Sequence, residues 1–340
     1  MNLSPLIAML MVLALLPATA QAQDSSSLEE DMASFIEETA DEKVDEPLPR
    51  AEILVLDLKN FVTDVFEIIE DNKVARPEKL PPSAREKKQR ALVADGHPFT
   101  TDAFLNAAKE GNRALVLRYL DAGMDVRARS AGGETALHFA VVGEMLDMAQ
   151  MLLNYGADPN TVNTAGDSPL HLAVARENVY LTALLLAEGA NPNLANRPGW
   201  TSMHIAANDG LEEIFALMQN RGGDINRRTR IGMTPLMMAI WRGHTRLAMY
   251  LIEVGADVTP TDPQGNNAFL LAVTHNRDKI VEMLLARGAD PNQHNLRNWS
   301  AVELALNNNN LRIANMLYAA GADTPGMERP RGAILNPDRR

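Results

Sequence analysis

Residues 157–189 read ADPNTVNTAGDSPLHLAVARENVYLTALLLAEG, and this stretch carries the signals of a turn and two short helices. Ser168 is a good helix N-cap, and Pro169 fits the first helical position, where its missing N–H has no partner to lose. The apolar residues Leu181, Leu184, Leu185 and Leu186 predict a second helix. Gly189 is typical of the left-handed residue that ends a helix. Two helices of about ten residues cannot bury both of their sides alone, so the pair needs neighbours.

The same signals recur every 33 residues. Glycines that end a helix stand at Gly123, Gly156, Gly189, Gly222, Gly255, Gly288 and Gly321. Alanines small enough for a neighbouring helix to approach stand at Ala107, Ala140, Ala173, Ala206, Ala239, Ala272 and Ala305. Residues able to cap a first helix stand at Asp102, Thr135, Ser168, Thr201, Thr234, Asn267 and Ser300. Three separate structural demands share one period without an insertion, so the sequence predicts a stack of repeated helix pairs.

Within this period, one recurring motif is similar to a known repeat family. The motif occurs as Thr135-Ala-Leu-His138, Ser168-Pro-Leu-His171, Thr201-Ser-Met-His204 and Thr234-Pro-Leu-Met237. These blocks resemble the Thr-Pro-Leu-His signature of ankyrin repeats, and the Gly-Ala-Asp-Pro-Asn at 156–160 and 288–292 resembles their linking turn. The resemblance covers 124–321 as six repeats and 99–123 as an N-terminal half repeat. It implies an all-α solenoid of helix–turn–helix–hairpin units that binds other proteins on the concave face formed by hairpins and first helices.

The last two repeats and the C-terminal tail depart from this pattern. Asn267-Ala-Phe-Leu270 and Ser300-Ala-Val-Glu303 keep the cap and lose the histidine, which leaves open how side chains join neighbouring repeats there. The tail, 322–340, contains proline and arginine, and it can lie over the last helices or extend freely.

Residues 1–22 resemble a secretory signal peptide. The apolar run from Leu6 to Leu16 has 11 residues, fewer than the roughly 20 that a membrane-spanning helix needs. Small residues at cleavage-type spacing follow Pro17, which predicts a cut after Ala20 or Ala22. No Lys or Arg precedes the run, so an uncleaved anchor is the alternative. By analogy with bacterial export signals, we expect a periplasmic protein, with secretion into the medium as the alternative.

Three segments lie between this signal and the repeats. Residues 23–50 are acidic and predicted to be partly disordered. Residues 51–75 predict an amphipathic helix. Its apolar stripe comprises Leu54, Leu58, Phe61, Val65 and Ile68, widened by Val55, Val62, Phe66 and Ile69. The helix can fold back on 28–36, dock on the first repeat, self-associate or bind a partner helix. Docking on the stack as an extended cap is the interpretation we favour. Residues 76–98 are basic and contain proline, which predicts a linker.

The net charge of −12 comes from one part of the chain. Lys and Arg minus Asp and Glu give 4 − 16 = −12 over 24–75, 6 − 3 = +3 over 76–98 and 22 − 25 = −3 over 99–340. A nucleic-acid-binding protein would carry a basic field over a whole domain, so this class is not expected. The absence of cysteine excludes disulfides, thiolate metal sites and cysteine nucleophiles.

The histidines do not predict a metal site or an active site. His138, His171 and His204 share one repeat position, so they form a ladder about 10 Å apart rather than converging on one point. We expect their ring nitrogens to bond neighbouring turns. No zincin, nucleophile-elbow or phosphate-loop motif occurs. The sequence therefore predicts no enzyme, no cofactor and no small-molecule substrate.

Basic and aromatic residues near the middle of the stack form one candidate site for a protein partner. It comprises Arg197, Arg227, Arg228, Arg230, Trp241, Arg242, His244 and Arg246. Arginines suit bidentate capture of carboxylates, so the candidate ligands are an acidic partner and this chain's own segment 24–46. The alternative interpretation is a set of solvated loop charges without a specific ligand.

Together these features predict a protein-binding scaffold or adaptor of the bacterial cell envelope, and the chain resembles exported bacterial ankyrin proteins. One alternative is a secreted effector that binds host proteins. Another is a structural component that assembles through the helix at 51–72. Contact with a membrane is expected only through the signal segment, if that segment stays uncleaved.

Overall fold

A computed structural model describes residues 50–71 and 80–323 of the chain. These residues form sixteen α-helices and no named strand, and almost all of them belong to one compact unit that begins at Ala51. Two helices, α1 (Arg50–Asp71) and α2 (Pro82–Ala94), precede seven helix pairs. The pairs are Thr101–Lys109 and Arg113–Asp121 (α3, α4), Ala136–Val142 and Leu146–Asn154 (α5, α6), Pro169–Ala175 and Val179–Ala187 (α7, α8), Ser202–Asp209 and Glu212–Asn220 (α9, α10), Pro235–Arg242 and Thr245–Glu253 (α11, α12), Ala268–Thr274 and Asp278–Ala286 (α13, α14), and Ala301–Asn307 and Leu311–Ala319 (α15, α16). This architecture confirms the predicted all-α ankyrin-type stack.

The repeated caps and glycines define the ends of the helices. Ser168 Oγ accepts the His171 N–H, and Asn267 Oδ1 accepts the Leu270 N–H at 3.0 Å. All seven glycines of the predicted set have a positive φ, between 83° and 95°. These side-chain acceptors and left-handed residues satisfy helix-end groups that otherwise lack partners.

The first cap differs from the prediction. Thr100, and not Asp102, caps α3, because Thr100 Oγ1 accepts the Ala103 N–H at 3.3 Å. No hairpin precedes this repeat to fix where its first helix begins, so the helix starts two residues earlier. Asp102 then lies in the first turn, where a carboxylate is favourable near the positive end of the helix dipole.

Each helix pair packs on the next one along the stack. First helices contact neighbouring first helices from α3 to α15, and second helices contact neighbouring second helices, for example α8 and α10. The predicted alanine set lies at these contacts. Its members are exposed by 2% at Ala107 and by 0% at Ala140, Ala173, Ala206, Ala239, Ala272 and Ala305. The lack of a larger side chain allows neighbouring helices to approach closely.

Hairpin-like turns link the pairs and also stack on one another. The Arg197 N–H donates to the Ala165 carbonyl at 3.0 Å, and the Leu296 N–H donates to the Gln264 carbonyl at 2.9 Å. Gly166 makes this stacking possible because its φ is +84° and a Cβ there would lie 2.9 Å from the Arg197 nitrogen. The turns therefore form a continuous row along one edge of the stack.

The predicted linker, 76–98, is wrong in its central part, because Pro82–Ala94 forms helix α2. Pro82 lies at the N-terminus of the helix, where proline is tolerated. Lys88 pairs with Asp121 at 2.6 Å, and Gln89 Nε2 donates to the Ala122 carbonyl at 2.9 Å. In both bonds the two partners are 33 residues apart, which is the length of one repeat. Helix α2 thus takes the place of the second helix of a preceding repeat and covers the free side of the first pair.

Helix α1 buries one side, as its sequence pattern requires. The buried residues are Leu58, Val62, Val65, Phe66 and Ile69, exposed by 3–8%. The guanidinium carbon of Arg221 lies 3.9 Å from the centroid of the Phe66 ring. Because Arg221 ends α10, helix α1 contacts the second-helix side of the stack near its middle.

Helices α8 and α10 carry small apolar residues on the side that faces α1. Ala183 and Ala216 occupy the outward position of α8 and α10 and are exposed by 0% and 4%. The equivalent residues of the last two repeats, Glu282 and Asn315, are polar and exposed. The side of α8 and α10 that faces outward is therefore apolar and covered in this chain.

Candidate protein-binding surface

The three repeated histidines join neighbouring repeats. The N–H groups of Thr135, Ser168 and Thr201 donate to Nδ1 of His138, His171 and His204 at 3.1–3.2 Å. Because these amides can only donate, Nδ1 accepts and the ring proton lies on Nε2. Nε2 then donates to a carbonyl of the next turn, at 3.3 Å for Asp167, 3.1 Å for Trp200 and 2.9 Å for Arg227. The predicted bonding to neighbouring turns is present.

Burial keeps these rings neutral. It lowers the pKa of His138 and His171, and it lowers the pKa of His204 to about 4. A charged ring would also lose the acceptor at Nδ1 that the cap N–H needs. In 50–71 and 80–323, no three His, Cys, Asp or Glu side chains come together as a group able to hold a metal ion.

Other side chains join the repeats where the histidine is missing. Asn267 Nδ2 donates to Gln293 Oε1 at 2.6 Å, while Glu303 completes a capping box with Ser300 inside its own helix. Arg228 Nη2 donates to the Thr261 carbonyl at 2.9 Å. Arg129, three repeats earlier, makes the equivalent bond to the Val162 carbonyl at 3.2 Å, although its repeat keeps the histidine.

The hairpin row holds four of the predicted site residues: Arg197, Arg227, Arg228 and Arg230. All four are exposed. Arg228 is held by the Gly232 and Thr261 carbonyls. The Arg230 side chain packs on Gly199, where an added Cβ would lie 2.8 Å from its Cγ.

The other four predicted residues lie at the turn between α11 and α12. Arg242 Nε donates to Asn208 Oδ1 at 2.8 Å, and its guanidinium carbon lies 4.7 Å from the centroid of the Trp241 ring. His244 Nε2 bonds the Asn208 carbonyl at 2.8 Å, and Arg246 lies 3.9 Å from the carboxylate of Glu212.

The eight residues therefore form two groups and not the single patch that was predicted. Helix α11 separates the hairpin from the helix–helix turn, and its 8 residues span about 12 Å. The two groups are close in residue number, which is why the sequence suggested a single patch. In the structure they lie near opposite ends of α11.

Exposed apolar side chains are concentrated on the hairpins and first helices, which we call the hairpin face. Seven of the ten large exposed hydrophobic residues in the described part of the chain lie there. They are Val142, Val162, Ile231, Trp241, Leu296, Trp299 and Leu306. The other three, Val93, Leu117 and Leu311, lie on α2 and on second helices.

The last hairpin was not part of the candidate site that the sequence predicted. A shallow cleft of about 410 Å³ is lined by Arg297, Asn298, Trp299, Glu303 and Leu306. Asn298 has a φ of +60° and stands where the five preceding hairpins have glycine. An asparagine at a glycine position beside an exposed tryptophan was the signal that could have identified this cleft.

Family models for ankyrin repeats match this part of the chain. One, described as ankyrin repeats (3 copies), matches 147–229, 170–262 and 203–295. A second, described as ankyrin repeats (many copies), matches 119–173. Together they cover 119–295, which is 177 of 340 residues. The chain belongs to the ankyrin-repeat family. The comparison with curated proteins gave no match.

Membership of this family establishes the general role of the stack. Ankyrin repeats are scaffolds for protein–protein interaction and are generally not enzymes. Within 50–71 and 80–323, no helix has the length and apolar character needed to cross a membrane.

Proposed function

We propose that this ankyrin-repeat protein is an adaptor of the bacterial cell envelope that binds another protein on its hairpin face. The observation that carries the proposal is the concentration of exposed apolar side chains on that face. Trp241 and Trp299 are exposed by 45% and 40%, and large aromatic residues often dominate the binding energy of protein interfaces. Exposed large apolar side chains on one face are typical of an interaction site.

The envelope location is supported by the sequence of residues 1–22, which lie outside the described residues. Their short apolar run and small residues at cleavage spacing are typical of an export signal. A chain without cysteine also suits an oxidising compartment.

Cell fractionation tests this location. The expected result is the protein in the periplasmic fraction, shortened at its N-terminus. Recovery from the medium would favour the secreted effector instead, and recovery of an unshortened chain in the cytoplasm would contradict both locations.

Self-assembly through the helix at 51–72 is not favoured. The side chains Leu58, Val62, Val65, Phe66 and Ile69 are already buried within one chain. A second copy could use this stripe only after α1 had left its place.

A pull-down from an envelope extract tests the binding face. The bait is the full chain with Trp241→Ser and Trp299→Ser, and the matched control carries Leu117→Ser and Leu311→Ser. These leucines are also exposed, but they lie on second helices. We expect the tryptophan variant to lose the partner that the unchanged chain and the control retain. Equal capture by all three proteins would contradict the proposal.

A further inference from the structure

The tips of the six hairpins form a row across the stack. We define the tip row as 127–132, 160–165, 193–198, 226–231, 259–264 and 292–297. Backbone bonds connect three of its five neighbouring pairs, for example from the Thr164 N–H to the Gly132 carbonyl at 2.8 Å, and Arg228 Nη2 donates to the Thr261 carbonyl in a fourth pair. Neighbouring tips are therefore fixed relative to one another at about the spacing of packed helices, roughly 10 Å.

The net charge of this row is opposite in sign to the net charge of the chain. The tip row contains seven Arg, no Lys, no Glu and one Asp, so its net charge is 7 − 1 = +6. Residues 99–340 as a whole carry 22 − 25 = −3. The one acid, Asp262, already accepts the N–H groups of Gln264 and Asn266 at 2.9 and 2.8 Å.

Most of these arginines are available to a ligand. None of the seven takes part in an ion pair within the described residues, where the five ion pairs use other cations. Arg129 and Arg228 bond carbonyls of the next hairpin. The other five side chains are exposed and make no hydrogen bond in that part of the chain. They belong to Arg127, Arg197, Arg227, Arg230 and Arg297.

Apolar side chains are interspersed with these cations. Ile231 is exposed by 60% and Leu296 by 79%, and both lie next to an arginine in the tip row. A ligand that fits the row offers both negative and apolar groups. An acidic peptide does so, whereas a nucleic acid carries a uniform chain of phosphates.

We propose that the tip row binds an extended, acidic segment of the partner protein that also carries apolar side chains. This inference rests on the proposed function and names the chemistry of the partner. An extended chain rises about 3.3 Å per residue, so about three residues span one repeat. Carboxylates about three residues apart meet the arginines of the neighbouring tips 193–198 and 226–231, and the arginines of 127–132 and 292–297 lie two repeats further along in each direction. Arginine binds carboxylates in a bidentate manner.

Fluorescence anisotropy with the full-length protein tests the proposal. The probes are a labelled Glu-Leu-Ser repeat peptide, the same peptide with Ser in place of Leu, and a single-stranded DNA of equal charge. We expect the Glu-Leu-Ser peptide to bind most tightly and its affinity to fall as salt is raised, because exposed charge pairs are screened. Tighter binding of the DNA, or no binding of the leucine peptide, would overturn the proposal.

A charge-matched pair of variants identifies the surface. One variant carries Arg197→Ser, Arg227→Ser and Arg230→Ser. The control carries Arg118→Ser, Arg287→Ser and Arg312→Ser on second helices or their ends, where each arginine pairs with an acid. We expect the tip variant to bind the leucine peptide about tenfold more weakly, at roughly twofold per exposed ion pair. Equal weakening in the control would overturn the proposal.

The outcome is separable from that of the proposed function. If the tryptophan variant loses the partner in the pull-down while the tip variant keeps it, the hairpin face binds protein without using its arginines. Thermal melts of both arginine variants check that the fold is intact, since exposed arginines contribute little to stability.

Discussion

His204 shows how one side chain fixes both a helix cap and a contact between repeats. Its Nδ1 accepts the Thr201 N–H at 3.1 Å, and its Nε2 donates to the Arg227 carbonyl at 2.9 Å. Protonation of the ring breaks the first bond, because Nδ1 becomes a donor facing another donor, whereas Nε2 still donates to the carbonyl. Burial lowers the pKa of His204 to about 4, so the folded state keeps the ring neutral well below the ordinary value of 6.5.

Stability is therefore expected to fall as the pH falls from about 6.5 towards 4. The unfolded chain binds a proton at each histidine near pH 6.5, whereas the folded chain does not, so acid favours unfolding. Each buried histidine contributes a slope of at most about 1.4 kcal/mol per pH unit. Urea unfolding between pH 7.5 and 4.5 measures this. His204→Met copies Met237 at the same repeat position. This variant should show a smaller dependence of the unfolding free energy on pH, because one titrating histidine is gone. An unchanged slope would contradict the role given to the ring.

Gly166 gives a second prediction at the scale of one residue. Gly166→Ala places a Cβ 2.9 Å from a backbone nitrogen at a φ of +84°. Gly189→Ala meets nothing within 4 Å at a φ of +87° and so bears the conformational strain alone. A left-handed alanine costs about 1–2 kcal/mol. Urea unfolding should show a larger loss for Gly166→Ala than for Gly189→Ala, and equal losses would mean that hairpin stacking does not depend on close approach.

Residue types at a fixed period predicted the caps and glycines well, but not the first cap. The threonines and serines of the full repeats follow a hairpin that sets where the helix begins. Three adjacent residues, Thr100, Thr101 and Asp102, can all cap a helix, and no hairpin precedes them. The sequence alone gave no reason to choose Thr100.

At the scale of elements, α1 and α2 complete the stack in different ways. Helix α2 covers the first pair in register with the repeats, whereas α1 contacts the second-helix side at Arg221. Apolar residues at spacings of three and four predicted α1, because such a stripe has to be buried. Helix α2 was missed because it has one buried apolar residue, Leu92, and a proline-containing, basic start. Its helical state depends on contacts with α4, which no local pattern shows.

Removing the Phe66 ring should release α1 without unfolding the repeats. Phe66→Ala removes most of a buried aromatic side chain and its contact with Arg221, a loss of about 3–5 kcal/mol from docking. Amide hydrogen exchange in 50–71 should accelerate more than tenfold, while the repeats stay protected. Lys59→Ala, on the exposed side of the same helix, is the control. Unaltered exchange in Phe66→Ala would show that this contact does not hold α1.

At the scale of the whole molecule, the two sides of the stack differ: one side is buried and the other is exposed. The second-helix side is buried under α1 around Phe66, and the hairpin face exposes tryptophan, isoleucine and arginine. The family and the arrangement of repeats followed from the period in the sequence. The grouping of the site residues did not, because residues 227 and 242 are close in number but lie at opposite ends of α11.

Hydrogen exchange of the full chain, alone and with the captured partner, tests most directly whether the hairpin face binds protein. We predict slower exchange in the hairpins at 193–200, 226–233 and 292–299 and at the exposed end of α11, with second helices unchanged. Slower exchange confined to the second helices, with the hairpins unaffected, would contradict the account.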